Sequence, residues 1–109
     1  MTRTELIKLI GDVLTKLDVL RGSLLPGEPN RIELDRLRKG LDSLQLKLVK
    51  NDFEDNTKKY LDATEKLRSV NGDLKKTITK LEKIVTTLET VKKLVAVVDE
   101  IISIAIPLL

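Results

Sequence analysis

Apolar residues recur along most of this chain at the three- and four-residue spacing of an amphipathic helix. The most regular stretch covers residues 73–106, where aliphatic side chains follow a seven-residue repeat in two rows. With the positions that lead into the stretch, these rows comprise Leu67, Leu74, Leu81, Leu88, Val95 and Ile102, and then Val70, Ile84, Val91 and Val98. Such a repeat is typical of helices that pack side by side. The pattern therefore predicts an all-α fold.

The first helix is predicted over residues 5–21. Thr2, followed three residues later by Glu5, matches a capping box, and Thr4 is an alternative cap. Its apolar face is formed by Leu6, Ile7, Ile10, Val13, Leu14, Leu17 and Leu20, and is widened by Leu9 and Val19. A loop is predicted over residues 23–29, which contain a Pro-Gly pair.

The second helix is predicted over residues 31–70, with Asn30 as its N-cap. Its first half is rich in leucine, but from residue 50 to residue 59 the only apolar side chain is Phe53. Two interpretations are open. The helix either continues to residue 70 or breaks near Asn51, which would give four helices. No Gly or Pro lies between residues 50 and 59, so we favour continuity.

A turn is predicted at Asn71-Gly72-Asp73, because Gly tolerates positive φ after a helix and Asp is a strong N-cap. The third helix then covers residues 74–106. Residues 94–106 are apolar on nearly every face, which predicts burial on all sides. We therefore expect a single domain over residues 1–109, an antiparallel three-helix bundle in which the short first helix packs on a long helical hairpin. The tip of the hairpin is expected to project as a two-helix stalk.

Composition argues against catalysis. The chain has no Cys and no His, so thiol chemistry, disulfides and the commonest general base and metal ligand are excluded. Its five glycines are isolated from one another and form no phosphate-binding loop. We expect a protein that is not an enzyme and needs no cofactor.

Two groups of acidic residues could still suggest a metal site or acid–base catalysis. The segment 51–56 is rich in carboxylates and amides but lacks the Gly and Glu of a calcium-binding loop, so we predict a solvated helix face or junction and no metal. Asp99 and Glu100 interrupt an apolar stretch, and we expect one to reach solvent. The other is expected to pair with a base on a facing helix, and the candidates are Lys8, Arg38 and Lys47.

The net charge is +3, and part of this excess is a row of lysines assigned to the last helix. The row consists of Lys75, Lys76, Lys80, Lys83, Lys92 and Lys93. It could contact phosphates, but acidic residues such as Glu82 and Glu89 interleave with it and arginine is scarce there. Nucleic acid is therefore a disfavoured partner, a third hypothesis for the function.

The leading hypothesis is a non-enzymatic helical module for protein–protein interaction or self-assembly, acting through coiled-coil-like packing. Thr77 on the predicted seam suggests a selective contact, because polar seam residues specify register or partner. The partner would be another protein or a second copy, giving a homodimer. The residues predicted to form the interaction surface are Leu74, Ile78, Leu81, Ile84, Val85 and Leu88.

The alternative is a membrane-surface-active helical protein that uses its apolar C-terminal segment, residues 97–109. Burial of the same residues in a helical core explains them equally well. No apolar core of a signal peptide is present near the N-terminus, and Asp99 and Glu100 interrupt the best candidate for a membrane span. The expected localisation is cytoplasmic.

Overall fold

The computed structural model describes residues 1–108 and contains four α-helices. Helix α1 is Arg3–Gly22, α2 is Pro29–Lys50, α3 is Lys58–Thr77 and α4 is Ile84–Ala105. A short 3-10 helix, Leu81–Lys83, leads directly into α4. The predicted all-α fold is confirmed, and of the two interpretations of the second helix the four-helix variant is the correct one.

Helix α1 begins with the predicted capping box. The hydroxyl of Thr2 accepts a hydrogen bond from the backbone N–H of Glu5 at 3.1 Å, and the Glu5 carboxylate accepts one from the backbone N–H of Thr2 at 3.2 Å. The helix starts two residues before the predicted start, at Arg3. Its buried face is the predicted aliphatic stripe, formed by Leu6, Ile10, Val13, Leu14, Leu17 and Leu20.

Helix α2 begins at Pro29, so the prediction that Asn30 caps it is wrong. The proline ring fixes φ near the helical value and lacks only an N–H that the first turn would leave unpaired. The preceding loop is closed by the Glu28 carboxylate, which accepts a hydrogen bond from the backbone N–H of Leu25 at 2.9 Å. Gly27 has a φ of 85° and makes the turn possible.

The predicted continuous helix over residues 31–70 is wrong, because α2 ends at Lys50 and Asn51 adopts an extended conformation. The guanidinium of Arg3 donates hydrogen bonds to the carbonyls of Leu48 and Val49, at 3.0 and 2.9 Å, and to that of Asn51 at 3.2 Å. These bonds satisfy carbonyls that a helix end leaves unpaired. The chain then runs through residues 51–57 to α3, where the hydroxyl of Thr57 accepts a hydrogen bond from the N–H of Tyr60.

The predicted turn at Asn71-Gly72-Asp73 is also wrong, since α3 passes straight through it. Gly72 does not have positive φ, and Leu67 and Leu74 on either side of it are both buried in the core. The chain instead reverses over residues 78–83, which include Ile78 and the 3-10 helix. Residues 74–83, expected to open the last helix, therefore belong to α3 and to this turn.

The four helices form a compact bundle, and no two-helix stalk projects from residues 1–108. A helix of about 40 residues would be roughly 60 Å long, whereas the longest dimension of the molecule is 41 Å. The closely packed pairs are α1 with α2, α2 with α4, and α3 with α4. The ion pair between Glu5 and Arg68 and the residues that line a shared hollow show that α1 runs parallel to α3. The residues that line a second hollow show that α2 runs parallel to α4. Going around the bundle, the order is therefore α1, α2, α4, α3.

The core fills the space between all four helices. Tyr60 and eleven aliphatic residues are the largest of its fully buried side chains. The C-terminal apolar stretch contributes to this core, with Ile101 and Ile102 buried and Ile104 and Ile106 partly buried against it. Burial of the α4 stripe thus agrees with the core interpretation of that segment.

Candidate functional site

The six residues predicted to form an interaction surface are divided between the core and the surface. Leu74, Ile78 and Leu88 are buried, with exposed fractions of 7 % or less. Ile84 is partly buried against the core. Leu81 and Val85 are exposed, at 48 % and 62 %. The six therefore do not form one continuous surface: Leu74 lies on α3, Ile78 and Leu81 lie in the turn over residues 78–83, and the other three lie on α4.

An apolar groove with a volume of about 460 Å³ lies between the C-terminal ends of α1 and α3. Leu20 and Ile78, almost fully buried, form its floor, and Val19 and Leu81 stand exposed at its sides. We call it the α1–α3 groove and define it by the residues that line it: Lys16, Val19, Leu20, Ser23, Lys75, Ile78, Thr79 and Leu81. Two of the six predicted residues, Ile78 and Leu81, belong to it.

The groove continues toward the start of α1 as a more polar hollow of about 320 Å³, which shares Lys16 and Lys75 with it. Four basic and two acidic side chains line this second hollow: Lys8, Lys16, Arg68, Lys75, Glu5 and Asp12. An ion pair between Glu5 and Arg68, at 3.6 Å, joins α1 to α3 at its far end. The whole depression is therefore apolar at one end and polar at the other.

The polar bonds of α1 to other helices are made mainly to α2. Asp18 accepts two hydrogen bonds from the Arg38 guanidinium, at 2.6 and 3.2 Å, and Arg21 pairs with Asp35 at 2.6 Å. Within residues 1–108, the pair between Glu5 and Arg68 is the one ion pair that links α1 to α3. Helix α1 is thus fastened along one side, and its other side is left accessible.

The electrostatics of these contacts follow from hydrogen bonding. The guanidinium of Arg38 lowers the pKa of the Asp18 carboxyl by donating hydrogen bonds to it. At the start of α1, the backbone N–H and hydroxyl of Thr2 lower the pKa of Glu5, and the positive charge of Arg68 adds to this effect. Both carboxylates are therefore charged at neutral pH. Neither lines the α1–α3 groove, whose charged side chains are Lys16 and Lys75.

The remaining predicted surface residues lie on another face. Val85 and Leu88 line a shallow hollow of about 210 Å³ between α2 and α4. Its other lining side chains are Asn30, Glu33, Glu89 and Lys92. Charges of both signs surround it, and its smaller volume makes it a weaker candidate for recognition than the α1–α3 groove.

The lysine row is exposed, but it does not lie on one helix as predicted. Lys75 and Lys76 belong to α3, Lys80 and Lys83 to the turn, and Lys92 to α4, together with Lys93. The change of helix at residues 78–83 therefore divides the row. Such a division does not give the single basic stripe that is typical of phosphate recognition.

The acidic residues serve structural contacts. In the loop over residues 51–57, the carboxylate of Asp55 accepts a hydrogen bond from the backbone N–H of Arg3 at 2.8 Å. Glu100 pairs with Lys66 of α3 at 3.3 Å. The three bases predicted for this pairing are wrong, because the four-helix order brings α3 alongside α4. Among residues 1–108, no group of His, Cys, Asp and Glu is placed to hold a metal ion.

Sequence reasoning identified Ile78 and Leu81 but not the other six lining residues of the groove, among them Lys16, Val19 and Lys75. Val19 did carry a signal, because it lies beyond the buried stripe of α1 as an extra aliphatic residue. Lys16 carried none, since a single lysine on a helix is ordinary surface, and Lys75 stood out only as part of the lysine row assigned to the last helix. Their significance comes from the parallel packing of α1 and α3, which places them on the two walls of one groove.

Within residues 1–108, no helix is long and apolar enough to cross a membrane. Comparison with protein-family models, curated proteins and solved structures gave no match to this chain.

Proposed function

We propose that this chain is a non-enzymatic helical interaction module that recognises a helix, either of another protein or of a second copy of itself. The observation that carries the proposal is the α1–α3 groove, in which aliphatic side chains stand exposed beside a recessed apolar floor. A helix laid in such a groove would bury Val19 and Leu81, which are 72 % and 48 % exposed. The energetic gain would come mainly from apolar area removed from water.

The test is sedimentation equilibrium on the whole chain, followed by a binding screen against a library of amphipathic helical peptides. Each measurement is repeated on a variant carrying Val19→Asp and Leu81→Asp. The matched control carries Leu46→Asp and Leu61→Asp, at two exposed leucines outside the groove. The proposal expects either a dimer or a peptide complex that the groove variant abolishes and the control variant retains. A monomer with no groove-dependent peptide binding would refute it.

The membrane alternative has less support. Its apolar segment would have to leave the bundle, and Ile101 and Ile102 in that segment are buried in the core. Only Leu108 in the described part of the segment is almost fully exposed, at 99 %. Co-sedimentation with vesicles of anionic and neutral phospholipids tests this alternative directly, and binding accompanied by loss of the folded bundle is the result it requires.

A further inference from the structure

From the charges of the α1–α3 groove we infer that its occupant is an acidic amphipathic helix of another protein. Such a helix would place its aliphatic residues on Leu20 and Ile78 and its carboxylates beside Lys16 and Lys75. This inference rests on the proposed function and adds to it the chemistry of the partner.

The charge of the groove indicates the class of its partner. The groove contains two charged side chains, Lys16 and Lys75, and both are positive. The adjoining hollow shares these two lysines, and its other charged side chains, two basic and two acidic, balance each other, so the positive excess is concentrated in the groove. A partner with glutamates or aspartates on both sides of its aliphatic stripe would complement these charges, and complementary charge selects partners and speeds association.

The shape of the groove suits a helix. Leu20 and Ile78 are exposed by only 6 % and 7 %, whereas Val19 and Leu81 beside them stand well exposed. A flat surface such as a lipid bilayer would contact Val19 and Leu81 but would not reach Leu20 and Ile78. A helix is a convex cylinder whose side chains can reach the floor. From Glu5 to Leu20 the depression follows α1 for about 22 Å, which corresponds to about four turns of a bound helix.

Charge and shape both disfavour a second copy at this site. A two-fold dimer brings the same patch of each copy together, so Lys16 and Lys75 of one protomer would face those of the other. Like charges in a desolvated contact repel. Two concave surfaces would also leave an unfilled space between them, and voids at an interface forfeit contact energy. An acidic helix of another protein would avoid both the repulsion between like charges and the unfilled space.

The experiment measures binding of two synthetic peptides to the whole chain by fluorescence anisotropy. Both peptides are about 18 residues long, which favours a stable helix, and both carry leucine at every third or fourth position. One has glutamate on both sides of the leucine stripe, and the other has lysine at the same positions. We expect the acidic peptide to bind about tenfold more tightly than the basic peptide at low salt, and the difference to shrink as salt is added.

Charge reversal provides the decisive variant. Lys16→Glu combined with Lys75→Glu should invert the preference, so that the basic peptide binds more tightly. The matched control, Lys39→Glu with Lys93→Glu, changes net charge equally at two exposed lysines outside the groove and should keep the preference for the acidic peptide. If the reversed chain does not fold, as judged by circular dichroism, Lys16→Gln with Lys75→Gln should abolish the preference instead.

The other outcomes overturn the inference in different ways. Equal binding of both peptides, lost in the Val19→Asp and Leu81→Asp variant, would show a helix-binding groove without charge selection, and the proposed function would stand. A dimer dissolved by that same variant would make a second copy the occupant. Binding to anionic vesicles but to neither peptide would favour a membrane. A monomer that binds nothing through the groove would refute both the inference and the proposed function.

Discussion

The two ends of the bundle are held together by different means. At one end, which we call the clamped end, the start of α1 meets the loop over residues 51–57. The Arg3 guanidinium donates hydrogen bonds to three backbone carbonyls there, and the backbone N–H of Arg3 donates one to the Asp55 carboxylate. The ring centroid of Phe53 lies 5.8 Å from the guanidinium carbon of Arg3. Both aromatic residues of the chain, Phe53 and Tyr60, lie at this end with ring centroids 5.8 Å apart.

At the other end, which we call the open end, the chain turns twice, over residues 23–28 and 78–83. The second turn is closed by backbone hydrogen bonds, such as that from the N–H of Lys80 to the carbonyl of Thr77 at 2.9 Å. Among residues 1–108, five of the nine exposed large aliphatic residues lie at this end, namely Val19, Leu25, Ile32, Leu81 and Val85, and the other four lie toward the clamped end. The difference between the ends is therefore that side-chain hydrogen bonds close the clamped end, whereas the α1–α3 groove opens at the other.

Among changes of polar side chains, the largest effect on stability is expected from Arg3→Ala at the clamped end. Removing the guanidinium leaves three carbonyls at the end of α2 without this donor, and we expect a loss of about 2 to 3 kcal/mol in the free energy of unfolding. Arg31→Ala is the counterpart at the open end. Arg31 donates a single bond to the carbonyl of Leu24, so its loss should cost about 1 kcal/mol. Urea denaturation of both variants measures the difference.

A third variant, Arg3→Lys, tests whether the planar guanidinium matters. Lysine keeps the charge near the end of α2 but cannot reach three carbonyls from a rigid fork, so the free energy of unfolding should fall between those of wild type and Arg3→Ala. Equal losses in Arg3→Ala and Arg31→Ala would contradict the distinction between the two ends.

The next effect concerns Tyr60 and alkaline pH. Its hydroxyl is buried without a hydrogen-bond partner among the described residues, and burial raises the pKa of Tyr60 to about 12. Because the unfolded pKa is about 10, the unfolded state releases the proton first. Stability should therefore fall as pH rises from 10 to 12, by up to about 2 to 3 kcal/mol.

Tyr60→Phe removes this linkage while keeping the ring beside Phe53. At pH 7 the variant should be more stable by about 1 kcal/mol, because an unpaired buried hydroxyl is costly. Between pH 10 and pH 12 its advantage over wild type should grow. Thermal unfolding at pH 7, 10 and 12 measures both effects, and a constant difference between the two proteins across that range would disprove the linkage.

Two glycines offer a matched pair with opposite expected signs. Gly27, at the open end, has a φ of 85°, so Gly27→Ala should destabilise the chain by about 1 kcal/mol. Gly72 lies inside α3, and no atom comes within 4 Å of the position that a Cβ would occupy. Gly72→Ala should therefore stabilise the chain by about 0.5 to 1 kcal/mol. Destabilisation by Gly72→Ala would instead support the turn that the sequence predicted at Gly72.

The glycine pair also shows why the sequence predicted some elements and not others. Local signals predicted the capping box of Thr2 and Glu5 and the buried stripe of α1, because both depend on residues within a few positions of each other. The end of α2 depends on Arg3, which lies 45 to 48 residues from the carbonyls it bonds. No local pattern records that contact.

The turn over residues 78–83 was missed for a different reason. It contains no Gly or Pro, and the seven-residue repeat continues through it from Leu74 to Leu81 and Leu88. The repeat indicates only which positions are apolar. In the structure its members include the buried Leu74 and Leu88 and the exposed Leu81. The α1–α3 groove was missed with the turn, because the groove exists only once α3 ends at Thr77 and lies beside α1.

The smallest effect on stability is expected from Val19→Asp combined with Leu81→Asp, at the open end. Both side chains are exposed, so the free energy of unfolding should change by no more than about 0.5 kcal/mol per substitution. By contrast, Ile78→Ala beneath them should cost about 2 to 4 kcal/mol, since Ile78 is only 7 % exposed. Urea denaturation of the double variant and of Ile78→Ala compares the walls of the groove with its floor. A loss above about 2 kcal/mol in the double variant would mean that Val19 and Leu81 stabilise the fold, and these two side chains would then not be available to a partner.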